Sequence, residues 1–322
     1  MTLNLKAKIY NDENAARKHL EALNWPDGPV CPHCGVINEA TELSGKSTRP
    51  GVYKCRPCQK PFSVTVGTVF ERSHIPLTKW LLATELLTSS KKGISSHQLS
   101  RMLSVTYKSA WFMAHRIREA MTPKAGSEPP LGGDGFVVEA DETYIGKKDG
   151  PKGRKPQGAG GYGHKRTVLS LVERGGKIKS FKLGGNTKQE IAKAIYTTVD
   201  RASTLHTDKA QAYRYLLPSD QHESVDHSKE FVREGRTGEK VHTNTLEGFF
   251  SVFKRGMVGT YQHCGEQHLQ RYLAEFDFRA NYRIALGFDD TERAQIALQG
   301  IAGKRLTYRR INKAGDDQAV SP

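Results

Sequence analysis

Three acidic residues after residue 135 lie on or beside apolar segments, where acids are uncommon. Asp141 falls in the β-rich stretch "GFVVEADETYIG", and Asp208 ends the short strand "STLHTD". An acid within a strand is unfavourable unless something uses it. The third, Glu247, lies in the helical stretch "HTNTLEGFFSVFKRG". Three carboxylates in one cleft repel one another, and divalent cations relieve that repulsion.

The ligand type indicates which cation such a cleft would bind. Oxygen-only ligands favour Mg²⁺ or Mn²⁺ over zinc. Two such ions, held about 4 Å apart, stabilise an in-line phosphoryl displacement. The expected chemistry is therefore metal-dependent phosphoryl transfer.

The elements around the acids must bring them together. The pattern from residue 136 onward predicts the order β-β-β-α-β-α-β-α. A meander of three strands followed by alternating helices and strands predicts a mixed sheet with helices on its faces. The first and fourth strands can be central neighbours, which would place Asp141 beside Asp208. A helix packed across the end of the sheet could then bring the third acid.

The helix that carries Glu247 has one strongly polar face. Asn244, Glu247, Ser251 and Lys254 follow one another at spacings of three, four and three, so they share that face. One interpretation is a solvated face with a salt bridge. We favour a face that lines a site, with Lys254 as a phosphate contact.

Two further acids flank Asp141 along the strand. Glu139 lies on the same strand face as Asp141, and Glu142 lies on the opposite one. A metal face admits few carboxylates. We therefore expect at most one of Glu139 and Glu142 to matter, and either is compatible with a surface position.

Two C-x-x-C pairs, separated by 20 residues, predict a zinc ribbon in the first part of the chain. The four thiols belong to Cys31, Cys34, Cys55 and Cys58. Four such ligands leave no open coordination position, so the predicted zinc is structural. Chance knuckles or a redox pair are the alternative. The following stretch, "GVYKCRPCQKPFSVTVGTVFE", predicts hairpin strands.

Residues 76–121 have a helical pattern that ends in two helices joined by the short turn "SVTY". This spacing matches a helix-turn-helix. The second helix offers four candidates for contact with DNA, namely Lys108, Ser109, His115 and Arg116. A plain three-helix packing module is the alternative.

The net charge of +15 and the pI near 9.5 favour a polyanionic partner, first of all nucleic acid. The Gly-rich segment 147–166 carries seven Lys or Arg against one Asp. It predicts a loop, either solvated or gripping phosphates, with Lys147, Lys148 and Arg154 as candidates. No stretch approaches the roughly 18 apolar residues of a membrane span. We expect a cytoplasmic, nucleoid-associated protein with no membrane partner.

Taken together, these stretches resemble bacterial insertion-sequence transposases of the DDE type with an N-terminal zinc ribbon, the ISXO-like family. The resemblance rests on "CPHCG", "YKCRPCQKPFSVTVGTVFE", "VEADETYIGKK", "LHTDKAQAY", "HTNTLEGFFSVFKRGMVGTYQH" and "HLQRYLAEFDFRANYR", which span most of residues 25–285. It implies an RNase H-like α/β catalytic domain in which Asp141, Asp208 and Glu247 are the acidic triad. Relatives have either Asn or Glu in the third position, so Asn244 is kept as support for, or a substitute for, Glu247.

The resemblance also implies a function. The ribbon and the helices would bind terminal inverted repeats, and the catalytic domain would cut the DNA and join the 3′-hydroxyl to target DNA. A homo-oligomer is expected, because a synaptic complex holds two ends. The alternatives are an RNase H-fold nuclease or resolvase, and a zinc-ribbon regulator with an inactive catalytic domain. The intact acids argue against the regulator.

The predicted organisation has six parts. They are an N-terminal helical segment (1–24), the zinc ribbon (25–72), the helix-turn-helix-like region (73–121), a Pro- and Gly-rich linker (122–135), the catalytic domain (136–285) and a basic tail (286–322).

Overall fold

A computed structural model describes residues 4–124, 126–147, 165–185, 187–209, 213, 216, 218, 220–236 and 238–307 of the chain. Most of the predicted basic loop lies outside this part, including Lys148 and Arg154. No helix among the described residues is long and apolar enough to cross a membrane.

The first part of the chain forms the predicted zinc ribbon. Helix α1 (Glu13–Asn24) precedes a three-stranded antiparallel sheet of β1 (Ala40–Glu42), β2 (Tyr53–Cys55) and β3 (Pro61–Phe62). Its small core consists of the buried Cys31, Cys55 and Phe62, together with the rings of Trp25 and Tyr53. So little apolar surface cannot stabilise a fold alone, which is why a metal is needed here.

Three helices follow the ribbon, as the pattern predicts. They are α2 (Leu77–Ser89), α3 (Ser96–Leu103) and α4 (Tyr107–Met121). The hydroxyl groups of Ser95 and Thr106 accept hydrogen bonds from the first turns of α3 and α4, so each helix begins at a side-chain cap. Ser104, with φ of 49°, makes the tight turn between them. The two helices have the short connection of a helix-turn-helix.

The C-terminal segment packs into this helical region. Helix α8 (Asp290–Gln299) places Ala297 and Leu298 in the same core as α2 and α4, and Ile301 follows them. The prediction of a basic tail over 286–322 is therefore wrong for the described residues 286–307. Ala294, Ala297, Leu298 and Ile301 follow one another at helical spacing, and Asp289 and Glu292 form a capping box, so the sequence did carry a signal for this helix.

The part of the chain from residue 137 onward is built around a five-stranded sheet. Its order is β6-β5-β4-β7-β8, in which β4, β5 and β6 are antiparallel neighbours and β4, β7 and β8 run parallel. This is the predicted RNase H-like mixed sheet, with the first and fourth strands adjacent at its centre. The strands are β4 (Val137–Lys147), β5 (Lys165–Glu173), β6 (Ile178–Leu183), β7 (Thr204–Asp208) and β8 (His222–Val225).

Helices cover both faces of the sheet. Helix α5 (Lys188–Thr198) packs on the face that carries Val138 and Ala140. The opposite face is covered by α6 (Asn244–Gly256) and α7 (Leu269–Asn281). A short hairpin of β9 (Arg233–Glu234) and β10 (Lys240–Val241) leads from β8 to α6, and a π-helical turn (Met257–Tyr261) continues α6.

A buried ion cluster joins the helical region to the sheet domain. Arg118 of α4 donates a 2.6 Å hydrogen bond to Glu275 of α7, and the same carboxylate accepts from Arg279 and from the Tyr261 hydroxyl. The Arg118 and Glu275 side chains are 1% and 0% exposed. Burial opposes ionisation of Glu275, but the two guanidinium groups prevail and lower its pKa to about 2. The cluster therefore stays ionised, because two cations surround the one buried carboxylate.

We expect Glu275→Gln to lower the free energy of unfolding by about 3–5 kcal/mol, because two guanidinium groups would lose their buried counter-charge. Urea denaturation measures this. Arg271→Ala is the matched control, since Arg271 and Glu119 also join α7 to α4, but each side chain is 29% exposed. Its expected cost is about 0–1 kcal/mol. Equal costs for the two variants would contradict the assignment of Glu275 as the central anion.

Candidate active site

The sheet brings two of the predicted acids side by side. Strands β4 and β7 are parallel, and the last pair in their register is Ala140 with Thr207. Asp141 and Asp208 are the next residues along the two strands. Their position follows from backbone pairing at the centre of the sheet, so it needs no mobile loop.

The pKa of Asp141 is affected by its burial and by the acids around it. Burial, followed by the charges of Asp208, Glu142 and Glu247, raises the pKa of Asp141 to about 7. The Glu142 backbone amide donates a 2.8 Å hydrogen bond to Asp141 and partly offsets this effect. A carboxyl group that resists ionisation near neutral pH is typical of a functional site.

Glu142 faces the opposite side of the strand and lies near a buried tyrosine. Burial raises the pKa of Glu142 to about 7, and the charge of Asp208 adds to this effect. Burial and the charge of Glu142 raise the pKa of Tyr213, which is fully buried. Glu142 is thus not the surface acid that the sequence allowed.

The helix that carries Glu247 is attached to the sheet by Glu139. The Glu139 carboxylate is fully buried and accepts hydrogen bonds from the Thr245 amide (3.1 Å), the Leu246 amide (3.4 Å) and the Thr245 hydroxyl (3.0 Å). These amides belong to the first turn of α6, where helical N–H groups lack partners. A strand residue thereby caps a helix that follows it by more than 100 positions.

Arg174 completes this attachment. Its guanidinium donates to Glu139 at 2.8 Å, and to the carbonyl oxygens of Lys240 and His242 at 2.6 and 3.0 Å. The same arginine thus neutralises the buried carboxylate and holds the segment that enters α6. Neither the capping role of Glu139 nor the role of Arg174 as its counter-charge was predicted from the sequence. The one available signal was a glutamate alternating with apolar residues in a central strand.

The third acid lies at the start of α6, on the exposed side. Glu247 is 48% exposed in its side chain, and its charge acts on Asp141. Asn244 is the first residue of α6, one turn earlier, and is exposed. Lys254 is exposed two turns beyond Glu247, on the face that the spacing predicted.

The three carboxylates are less closely grouped than the four cysteines. Among the described residues, the only group of three or more Cys, His, Asp or Glu ligand atoms lying within 4.8 Å of one another is that of the four cysteines. Asp208 and Glu247 nevertheless lie near enough for their charges to act on Asp141. Their donor set is oxygen only, which suits Mg²⁺ or Mn²⁺.

The four cysteines meet at one point in the ribbon. The Sγ atoms of Cys31 and Cys58 lie 3.7 Å apart, and those of Cys34 and Cys55 lie 3.6 Å apart. The spacing of all four sulfur atoms suits the tetrahedral coordination of one zinc ion. The predicted structural zinc site is supported in both its ligands and its geometry.

The predicted DNA contacts have different environments. Lys108 is exposed at the start of α4, and Lys147 is exposed at the end of β4. Arg116 is only 8% exposed, donates to the Glu71 carbonyl at 3.0 Å and stacks over a phenylalanine ring. The prediction that Arg116 faces DNA is therefore wrong for this conformation.

His115 is also buried, at 1% exposure, so it too fails as a candidate for DNA contact. It lies against the Trp111 ring, and burial lowers its pKa to about 2. The two errors have different partners but one kind of cause. His115 is covered by Tyr272 of α7, and Arg116 is held by the Glu71 carbonyl before α2, so neither burial can be read from α4 alone.

Comparison with known proteins agrees with this architecture. Residues 130–281 match the ISXO2-like transposase domain, and residues 11–61 match the transposase zinc-ribbon domain. The first match covers the whole five-stranded sheet together with α6 and α7, and the second covers all four cysteines.

A relative from Halobacterium salinarum, described as an uncharacterized protein in transposable element ISH50, is 29% identical over 290 residues. The alignment covers 84% of this chain and 92% of the relative, so the similarity extends over the ribbon, the helices and the sheet. The chain therefore combines a transposase zinc-ribbon domain with an ISXO2-like transposase domain, and it is similar to a transposable-element protein over most of its length.

Proposed function

We propose that this protein is a DNA transposase that binds the terminal inverted repeats of its element, cleaves at the element ends and joins the 3′-hydroxyl to target DNA. The observation that carries the proposal is the placement of Asp141 and Asp208 on adjacent central strands, with the charge of Glu247 acting on Asp141. The proposed reaction is a metal-dependent phosphoryl transfer in the cytoplasm, where the DNA lies.

The residues fit a divalent cation. Burial and, after it, the neighbouring carboxylates raise the pKa of Asp141, and a cation at this place would neutralise that negative charge. Asp141, Asp208 and Glu247 would hold Mg²⁺ or Mn²⁺, with Asn244 as a neutral oxygen donor beside Glu247. Two bound metal ions would supply electrophilic stabilisation of the scissile phosphate.

The other residues position the DNA and the carboxylates. Glu139 and Arg174 fix the start of α6, so the Glu247 backbone keeps a constant distance from β4. Lys254 would bind a backbone phosphate next to the cleft, and Lys108 would contact the element end from the helix-turn-helix. Catalysis then depends mainly on positioning and charge neutralisation. A homo-oligomer would hold the two ends.

Asp141→Asn should abolish cleavage of an end-containing duplex while leaving its binding to that duplex within about twofold, because the change removes a ligand charge and keeps the shape. Gel-based cleavage and fluorescence anisotropy measure the two quantities. Asp220→Asn, at an exposed acid before β8, is the control and should cleave normally. Equal loss of binding and cleavage would indicate a structural role for Asp141. Cleavage without joining by the unmodified protein would indicate a nuclease.

The pH dependence of stability tests the crowding of acids in the metal-free protein. The pKa of Asp141 is raised from 3.8 to about 7 on folding. The folded state therefore holds the Asp141 proton more tightly than the unfolded state does. The stability that this proton contributes is present below about pH 4 and is lost as the pH rises through about 7. Asp141→Asn should have a higher melting temperature than the unmodified protein at pH 8, and the difference should shrink toward pH 4. A constant difference across this range would contradict the raised pKa.

The ribbon should contain about one zinc ion per chain. Cys31→Ser should lose it and weaken binding to element ends, because the ribbon has little core of its own. Elemental analysis by mass spectrometry measures the zinc. Cys264→Ser is the matched control, since Cys264 is buried outside the cluster and should retain full zinc. A zinc-free purified protein would disprove the ribbon assignment.

A further inference from the structure

We infer that His227 is a positioning residue for Glu247, holding its carboxylate toward the cleft. This inference rests on the proposed function of Glu247 as the third acid. Two contacts carry it. The Nε2 atom of His227 lies 3.1 Å from the Thr243 hydroxyl, and its Nδ1 atom lies 3.8 Å from a Glu247 carboxylate oxygen. The imidazole thus bridges the residue before α6 and the acid on its first turn.

Glu247 needs such support more than the other two acids do. Asp141 and Asp208 have short side chains on paired central strands, so their carboxylates are positioned by the sheet. Glu247 has a longer side chain that is 48% exposed and rotates more freely. Ordering a free glutamate side chain costs conformational entropy, and a neighbour that restricts it reduces that cost.

Thr243 is available to orient His227 because another residue replaces it as a cap. Threonine at this position commonly caps a helix with its hydroxyl, but the Thr243 side chain makes no capping hydrogen bond. The Glu139 carboxylate accepts from the first-turn amides instead. The Thr243 hydroxyl, 1% exposed, is therefore directed to the imidazole.

The proposed role requires one tautomer of His227. When the Thr243 hydroxyl donates to Nε2, the ring proton resides on Nδ1, the atom that faces Glu247. Nδ1 is buried and has no hydrogen-bond partner among the described residues. A small rotation of the glutamate would let it accept from this N–H. Neutral imidazole is sufficient for this role.

The backbone around His227 is fixed by a local turn. The Asp226 carboxylate accepts hydrogen bonds from the Ser228 amide and hydroxyl, at 3.1 and 2.6 Å. It also pairs at 3.2 Å with Lys209, the residue after Asp208. The His227 ring lies 5.8 Å from the Phe231 ring. The histidine is therefore presented from a turn tied to the strand end that carries the second acid.

The test compares the Mn²⁺ dependence of several variants of the full chain. His227→Ala should raise the Mn²⁺ concentration for half-maximal cleavage by about 10-fold or more, the usual effect of removing a residue that orients a ligand. Binding to the element end should change less than twofold. Thermal denaturation with added Mn²⁺ gives a readout independent of activity, and His227→Ala should require correspondingly more ion for the same shift in melting temperature.

Conservative variants separate positioning from structural support. His227→Asn keeps a donor near the Nδ1 position and should restore most of the Mn²⁺ affinity, whereas His227→Gln places its amide at the Nε2 position and should not. Thr243→Val should reproduce part of the defect with His227 intact. His222→Gln is the matched control, because His222 also contacts a threonine hydroxyl, that of Thr207 at 2.9 Å. It should leave the Mn²⁺ dependence unchanged.

Glu247→Gln, measured in parallel, distinguishes failure of the positioning role of His227 from failure of the proposed role of Glu247. If Glu247→Gln weakens Mn²⁺ binding and His227→Ala does not, the positioning role is wrong and the proposed function stands. If Glu247→Gln binds Mn²⁺ like the unmodified protein, the third-acid assignment fails and the inference fails with it. A loss of stability in His227→Ala with unchanged Mn²⁺ dependence would mean a structural role only.

Discussion

The buried carboxylate of Glu139 is the constraint on which the candidate site depends. It lies two residues before Asp141 on the central strand. It accepts hydrogen bonds from the amides of Thr245 and Leu246, the two residues before Glu247 in the first turn of α6. A fully buried carboxylate is costly unless it is paired and hydrogen-bonded, and Arg174 and these amides meet both needs. The same contacts that satisfy Glu139 therefore set the distance between the strand with the first acid and the helix with the third. They also leave the Thr243 hydroxyl available for His227.

A second buried charge, that of Glu275, ties this site to the helical region in the first part of the chain. Glu275 joins α4 to α7, and the Tyr261 hydroxyl reaches it from the π-helical turn that continues α6. Gly93, between α2 and α3, leaves no room for a side chain against the same hydroxyl. One continuous helical element thus runs from Glu247 to the base of the helix-turn-helix.

The zinc site and the proposed carboxylate site place different demands on the fold. The four cysteines approach one another within 4.8 Å, in a ribbon whose own core is small, so zinc there contributes to folding. The acids lie on two strands and a helix, and burial together with the neighbouring carboxylates raises the pKa of Asp141, so its ionised form costs stability. A cation bound beside these carboxylates would relieve their repulsion, and that relief would add to its binding free energy. Such a site gives up some stability of the metal-free protein for function.

The sequence by itself determined the local features and those set by strand order. The two C-x-x-C pairs, the starts of α3 and α4 and the adjacency of Asp141 and Asp208 follow from spacing, capping residues and the rule that sequential elements pack together. Only the tertiary structure decided the environments of Glu139, Arg116 and His115. Each depends on a partner far along the chain. Burial on a second helix, or capping by a distant strand, leaves no periodic signal in the segment itself, because the segment carries only half of the interaction.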